Sequence, residues 1–175
     1  MDLKALIFDV DGTLAETEEV HRQAFNETFA AHGLGWHWSA EDYRALLRTT
    51  GGKERMVRHR DALGAGPSDA EIAALHVEKT ARYGAIIGSG QVPLRPGVAT
   101  LIRRARDAGL RLAIATTTNR PNVDALIRAC FDAPAETVFD AIAAGDEVPA
   151  KKPAPDIYAL ALAGLGLPAA AAIAF

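Results

Sequence analysis

The chain has 175 residues, 49% of them hydrophobic and 23% charged, and its 22 acids against 19 bases leave a formal net charge of −3. That balance fits one folded domain, or a modest core carrying a smaller inserted lobe, and excludes a disordered chain. It also excludes a strongly basic nucleic-acid binder, since no run of Lys or Arg occurs, while a local basic pocket for a small anion stays compatible with it. In chain order, Leu3 to Val10 is a short, nearly continuous apolar run, as expected of a parallel strand covered on both faces. From about Ala15 to Gln91 there is no convincing strand. Thr17 is placed to cap a helix that runs through Ala31 and stops at Gly33. Ser39 is placed to cap a second, with Asp42 in capping-box position, and Ser68 with Glu71 predicts a third whose apolar side carries Ile72 and Leu75.

From Leu94 onward the pattern alternates. Val98, Leu101, Ile102 and Ala105 predict a helix stopped by Gly109, followed by a strand over Leu110 to Thr116. Pro121 opens the next helix, which carries Val123, Leu126, Ile127 and Cys130. A strand over Phe139 to Ala143, a helix beginning at Pro155 and a final strand over Ala171 to Phe175 complete the series. Such alternation predicts right-handed crossovers and an α/β fold with a doubly wound parallel sheet. The helical stretch is then an insertion after the first strand. The expected division is a core of residues 1–14 and 92–175 with an all-helical lobe of residues 15–91. Cys130, the lone cysteine, forms no intrachain disulfide or multi-cysteine zinc site and reads as a buried small hydrophobe. Trp36 and Trp38 read as packing for the helical lobe. The N-terminus has no signal-peptide apolar region, and the alanine-rich stretch from Ala169 is too short to span a bilayer. A cytoplasmic monomer without nucleic-acid or membrane partners is expected.

Ligands of open α/β sheets bind outside the carboxyl ends of the strands. That rule gathers Asp9-Val10-Asp11-Gly12-Thr13, Thr116-Thr117-Thr118-Asn119 and Lys151-Lys152-Pro153 at one edge. Asp9 and Asp11 are two apart, a spacing that lets both carboxylates project to one side of extended chain. Together they suit Mg²⁺, and one of them suits attack on phosphorus while the other moves protons. Gly12 lets the backbone turn where a substrate comes close. The threonines and Asn119 offer hydroxyls and N–H groups at a helix N-terminus, a cradle for phosphate. A lysine of the third loop would neutralise charge on the transferring group.

"FDVDGT", "IATTTN" and "KKPAPDIY", in that order on successive strands, resemble motifs one to three of the haloacid dehalogenase superfamily of phosphotransferases. The resemblance covers essentially the whole chain. The insert resembles the family's C1-type cap, and "TEEVHRQAFN" with "TTGGKERM" is similar to the CbbY branch, near β-phosphoglucomutases and phosphoglycolate phosphatases. The resemblance implies a Rossmann-like core and a Mg²⁺-dependent phosphatase of a small phosphorylated sugar or related metabolite, xylulose-1,5-bisphosphate being the branch's example. It implies Asp9 as the nucleophile that becomes an aspartyl-phosphate and Asp11 as general acid and base. Thr116, with Thr117, Thr118 and Asn119, would hold the phosphate, and Lys152 takes the motif-three role. Asp9 and the Asp11 carbonyl are the implied metal ligands. True dehalogenases lack the second aspartate, so Asp11 implies phosphate chemistry. The Gly51-Gly52-Lys53-Glu54-Arg55 loop matches the cap loop that reads the substrate. Gly52, Lys53 and Arg55 are thus expected near a distal phosphate, and Glu18 and His21, one helical turn apart, near substrate hydroxyls. Two rivals stay open: a mutase using the same aspartates, and a non-catalytic binder of phosphometabolites. The second is suggested by the acidic motif, often Glu-Asp, that family members carry after the fourth strand. Here that strand is the last segment of the sequence, so a truncated enzyme with a weakened metal site is expected.

Overall fold

The structure, a computed structural model, describes residues 2–90, 92–145 and 147–175. Met1, and Gln91 at the expected end of the insert, lie outside the described residues. The chain divides into two compact units, one comprising the chain up to Thr17 and from Ile87 onward, the other Glu18–Ile86. In the first unit β1 (Ala5–Phe8), β2 (Arg111–Ala115), β3 (Ala141–Ala143) and β4 (Ala172–Ala174) form a parallel sheet in the order β3-β2-β1-β4. The chain moves outward from β1 to β2 and β3, then returns to add β4 on the other side of β1. Strand order therefore reverses beside β1, the switch point at which such sheets open a crevice for ligands.

The sheet's composition explains its packing. Successive strand residues face opposite sides, and on one side Ala5, Ile7, Ala113, Ala115 and Ala143 meet Ile157, Ala161 and Leu165 of α8 (Asp156–Leu165). Small residues on this side let α8 approach closely. A Cβ built on Gly164 would stand 2.9 Å from the Ala141 methyl. The alternate residues Leu6, Phe8, Leu112 and Ile114 are also buried, so every β1 position and all but Arg111 of β2 are covered. Phe8 packs there edge-on to Phe139, with ring centroids 6.3 Å apart, and stacks on Phe175. Between β1 and β4 in sequence come α5 (Val98–Asp107), α6 (Arg120–Phe131) and the short α7 (Ala135–Val138). The strands are shorter than the apolar runs predicted. Phe139 ends α7 instead of starting β3, and Asp9 and Val10 have left the ladder to turn. Pro121 stands in the first turn of α6, as predicted, with Asn119 as the cap before it, and Pro155 caps α8. Cys130 is only half-buried, with its Sγ 3.5 Å from the Val92 carbonyl, and burial raises its thiol pKa.

The second unit is helical: α1 (Glu18–Ala31), α2 (Ala40–Leu46), α3 (Gly52–Leu63) and α4 (Asp69–Gly88), the last running two residues past the unit boundary. Both predicted capping boxes are present, Ser39 with Asp42 and Ser68 with Glu71. The sequence offered three helices and the structure has four. Helix α3 was hidden because it buries only Met56, so its charged sequence carries almost no apolar period. Phe25, Phe29, Trp38, Tyr43, Met56, Ile72 and Leu75 form the core, with Trp36 packed against it. Among the described residues no helix is long and apolar enough to cross a membrane.

His59 meets the edges of Trp36 and Trp38, at centroid distances of 4.9 and 5.5 Å, and burial lowers its pKa from the ordinary 6.5 despite the opposing pull of Asp42. The unfolded chain therefore takes up this proton first as pH falls. The stability contributed by neutral His59 is full above 6.5 and is lost as pH drops below it through the folded value. Denaturant unfolding between neutral and acidic pH should show a shallower stability loss in His59→Gln than in the wild type. Identical slopes would refute the link.

Candidate active site

The residues at the carboxyl end of the first unit's strands converge on two carboxylates, and each is held differently. Asp9 leaves β1 with its Oδ1 accepting the Val10 N–H at 2.8 Å and its Oδ2 2.8 Å from Lys152 Nζ. Lys152 also donates to the Ala115 carbonyl at 2.9 Å, at the end of β2. Its ammonium lies 4.9 Å from the centroid of the Tyr158 ring. One cation thus joins β1, β2 and the loop after β3, with side-chain exposures of only 17% for Lys152 and 28% for Asp9.

Asp11 is gripped by hydroxyls instead. Thr17 Oγ1 donates to its Oδ1 and Thr118 Oγ1 to its Oδ2. Between Asp11 and Thr17 the chain makes a tight turn, in which Gly12, at φ 73°, donates its N–H to the Ala15 carbonyl at 2.9 Å. A residue with a Cβ is strained at that φ, so glycine is required there. The returning chain closes on this turn. Arg95 N–H donates to the Leu14 carbonyl at 2.8 Å, and its guanidinium bonds the Gly12 carbonyl and pairs with Glu16.

Beyond β2, buried Thr116 accepts the Thr118 N–H on its Oγ1 at 3.2 Å, and Asn119 caps α6 through the Asn122 N–H. The loop Thr116-Thr117-Thr118 is pressed against Gly145, whose N–H donates to the Thr118 carbonyl at 2.9 Å. A Cβ on Gly145 would stand 2.1 Å from the Thr117 carbonyl oxygen. No side chain fits there.

Of the sequence-predicted residues, the structure links Asp9 to Lys152 and Asp11 to Thr118, with Gly12, Thr116, Thr117 and Asn119 on the same two loops. Of the two adjacent lysines, Lys152 is the one whose Nζ pairs with Asp9. The helical unit holds the others. Buried His21 sits with its Nδ1 2.5 Å from Lys79 Nζ and its ring stacked on Tyr83, and Glu18 begins the same helix. Gly52 opens α3, where a Cβ would collide with the His76 ring. Lys53 follows it and lines a groove of about 530 Å³ with Val57, Ile72 and the charged Arg58, Asp61 and Asp69. Arg55 is already engaged, donating to the Thr49 carbonyl at 3.0 Å and the Tyr43 hydroxyl at 2.8 Å. Sequence reasoning missed three supports. Thr17 reads as a helix cap, Arg95 has no local signal beyond preceding Pro96-Gly97, and Gly145 shows its role only when a second loop lies against it.

For a metal, the donors on hand are the Asp9 and Asp11 oxygens. Among the described residues no group of three or more His, Cys, Asp or Glu is arranged to hold an ion. Two carboxylates suit Mg²⁺, which commonly keeps waters and takes substrate phosphate oxygens for its other positions. The donor set therefore fits a hard divalent cation.

An aspartate pair of this kind, at the switch point of a parallel sheet and backed by a lysine and a threonine loop, belongs to a recognisable class. The family signature of haloacid dehalogenase-like hydrolases matches residues 3–175, and the chain belongs to that family. Within it, the chain is 74% identical to Protein CbbY of Rhodobacter capsulatus over 175 residues, covering all of this chain and 77% of the relative. It is 57% identical to Protein CbbY of Cereibacter sphaeroides, covering 98% of this chain and 75% of the relative. The crystal structure of CbbY from Rhodobacter sphaeroides in complex with phosphate superposes with a TM-score of 0.94 at 57% identity, covering 98% of this chain and 76% of that one. A mutant of that protein in complex with xylulose-(1,5)bisphosphate gives the same TM-score at 56% identity and the same coverage. The chain is thus a hydrolase of the CbbY-like phosphatase branch.

Because the Thr117 carbonyl leaves no room at Gly145, Gly145→Ala must displace the threonine loop. The expected cost is about 1–3 kcal/mol of stability, the usual range for overpacking. Urea denaturation measures it, and an unchanged midpoint would show that the loop yields freely.

Proposed function

We propose that this chain is a Mg²⁺-dependent phosphatase of a sugar bisphosphate such as xylulose-1,5-bisphosphate, working through a phosphorylated Asp9. The observation that carries the reading is the contrast between the two aspartates, one paired with a lysine and the other held by two hydroxyls. Two carboxylates in unlike surroundings suit two roles. A relative crystallised with phosphate, and its mutant with xylulose-(1,5)bisphosphate, support the substrate class.

In this reading Asp9 attacks phosphorus as the carboxylate, and the bond to the leaving alcohol breaks while Asp11 gives that oxygen its proton. Asp11, now a carboxylate, takes a proton from water as the water oxygen attacks phosphorus. Inorganic phosphate leaves and Asp9 is restored. Lys152 offsets negative charge on Asp9 and on the phosphoryl oxygens, and the loop of Thr116, Thr117, Thr118 and Asn119 orients them. Gly12 leaves the backbone beside Asp11 open to the reacting group. Asp9 and the Asp11 carbonyl would hold Mg²⁺, which supplies positive charge to the phosphoryl oxygens when bound. Likeness to the CbbY branch assigns the sugar hydroxyls to Glu18 and His21 and the second phosphate to Lys53, next to Gly52. Within the helical unit Arg55, tied to Thr49 and Tyr43, holds the start of α3 that carries Lys53.

Asp9→Asn should abolish phosphate release from xylulose-1,5-bisphosphate, and Asp11→Asn should slow it by about 10²–10⁴, the usual worth of a general acid/base. Wild-type rates in either variant would sink the assignment. The same assay separates hydrolysis from mutase chemistry, since free phosphate rather than an isomerised sugar phosphate is expected. Lys53→Ala should weaken binding of a bisphosphate by roughly 1.5–3 kcal/mol, a charge-assisted contact, and leave a monophosphate nearly unaffected. Equal losses on both would place the second phosphate elsewhere.

A further inference from the structure

Lys152 reaches its position from a loop, on a four-carbon stem with many rotamers, and nothing in its own backbone fixes where the ammonium ends. Two oxygens receive it, Asp9 Oδ2 at 2.8 Å and the Ala115 carbonyl at 2.9 Å, both at strand ends. The third neighbour is the Tyr158 ring, 4.9 Å from Nζ to centroid, well inside the range of a cation–π contact. Tyr158 is the third residue of α8, its N–H 3.0 Å from the Pro155 carbonyl. The ring is half-buried and packs on the cluster in which α8 meets the alanines of the sheet. It is thereby a fixed aromatic surface next to a flexible cation. Neither hydrogen bond explains why an aromatic residue stands there.

We propose that Tyr158 is a positioning residue for Lys152, its ring holding the ammonium at the Asp9 carboxylate where phosphoryl transfer needs it. The assignment rests on the reading of Lys152 as the cation of the transfer step. It is the ring face that matters, because the partners of the ammonium are accounted for by Asp9, Ala115 and the π-surface with no part for the phenol hydroxyl. Phenylalanine should therefore serve and an aliphatic residue of similar bulk should not. Loss of a partly buried cation–π contact corresponds to about a threefold to thirtyfold drop in rate, and it should appear in kcat more than in KM, since the lysine's charge is needed most as the phosphoryl group transfers.

The test compares Tyr158→Leu, Tyr158→Phe and Lys152→Met with the wild type in hydrolysis of p-nitrophenyl phosphate at millimolar Mg²⁺, with melting curves to check folding. In parallel, ¹⁵N NMR of the lysine ammonium groups reads whether Lys152 Nζ is held or mobile without depending on turnover. The expected result is a kcat loss and a broadened Lys152 ammonium signal in Tyr158→Leu, both recovered in Tyr158→Phe, and no turnover in Lys152→Met. An inactive Lys152→Met together with wild-type kcat and an unchanged ammonium signal in Tyr158→Leu would overturn the role of the ring alone. An active Lys152→Met would overturn the reading of Lys152 and the assignment with it. Should Tyr158→Leu melt far below the wild type, the ammonium signal of Tyr158→Phe decides: held supports the ring, mobile overturns it.

Discussion

The ammonium of Lys152 lies between the Asp9 carboxylate and the Ala115 carbonyl, and through it the ends of β1 and β2 and the loop after β3 are held at one point. Taking two charges out of water is costly unless they meet each other and further polar groups. Here the pair is mostly covered, and its remaining needs are met by the Val10 N–H on Asp9 and by the Ala115 carbonyl and Tyr158 ring on Lys152. The chain must therefore bring three distant segments together before all of these groups are satisfied. That constraint ties the chemistry to the correct sheet order, because a strand out of place would leave a carboxylate or an ammonium without its partner.

The sheet meets the constraint by being thin on one side. Ala5, Ala113, Ala115 and Ala143 leave room for α8 to lie close, and the shortness of those side chains is what lets the start of that helix carry Tyr158 up to Lys152. The same economy recurs in the loops. Gly145 lies so close to Thr117 that only a hydrogen fits, and Gly12 adopts a φ that disfavours other residues. Small residues at these places trade local backbone freedom for close approach. The threonine loop and the aspartate turn are then linked directly by the bond from Thr118 to Asp11.

The helical unit is organised on different terms. Its core is aromatic, built around Phe25, Phe29, Trp38 and Tyr43, and two of its cations find partners inside the unit: Lys79 in His21 and the rings of Phe25 and Tyr83, Arg55 in Thr49 and Tyr43. Several residues that look like ligand contacts in the linear sequence thus already have protein partners. Those partners fix the direction of each side chain, so the unit presents its polar groups from a set geometry rather than from mobile surface chains.

What the sequence determined by itself was whatever depends on near neighbours. Continuous apolar runs marked parallel strands, capping pairs such as Ser39 with Asp42 marked helix starts, and Asp9 with Asp11 marked a strand end bearing chemistry. These signals are local because hydrogen bonds and side-chain periodicity act over a few residues. Helix α3 escaped for the same reason in reverse, since a helix that buries one residue leaves almost no apolar period to read. Only the tertiary structure decided that Lys152 also reaches the Ala115 carbonyl, that Thr17 and Thr118 divide the oxygens of Asp11, and that Arg95 closes the turn after it. All of these but the bond from Thr17 to Asp11 join residues far apart along the chain, and side chains so separated meet only once the sheet has set the distances between their backbones.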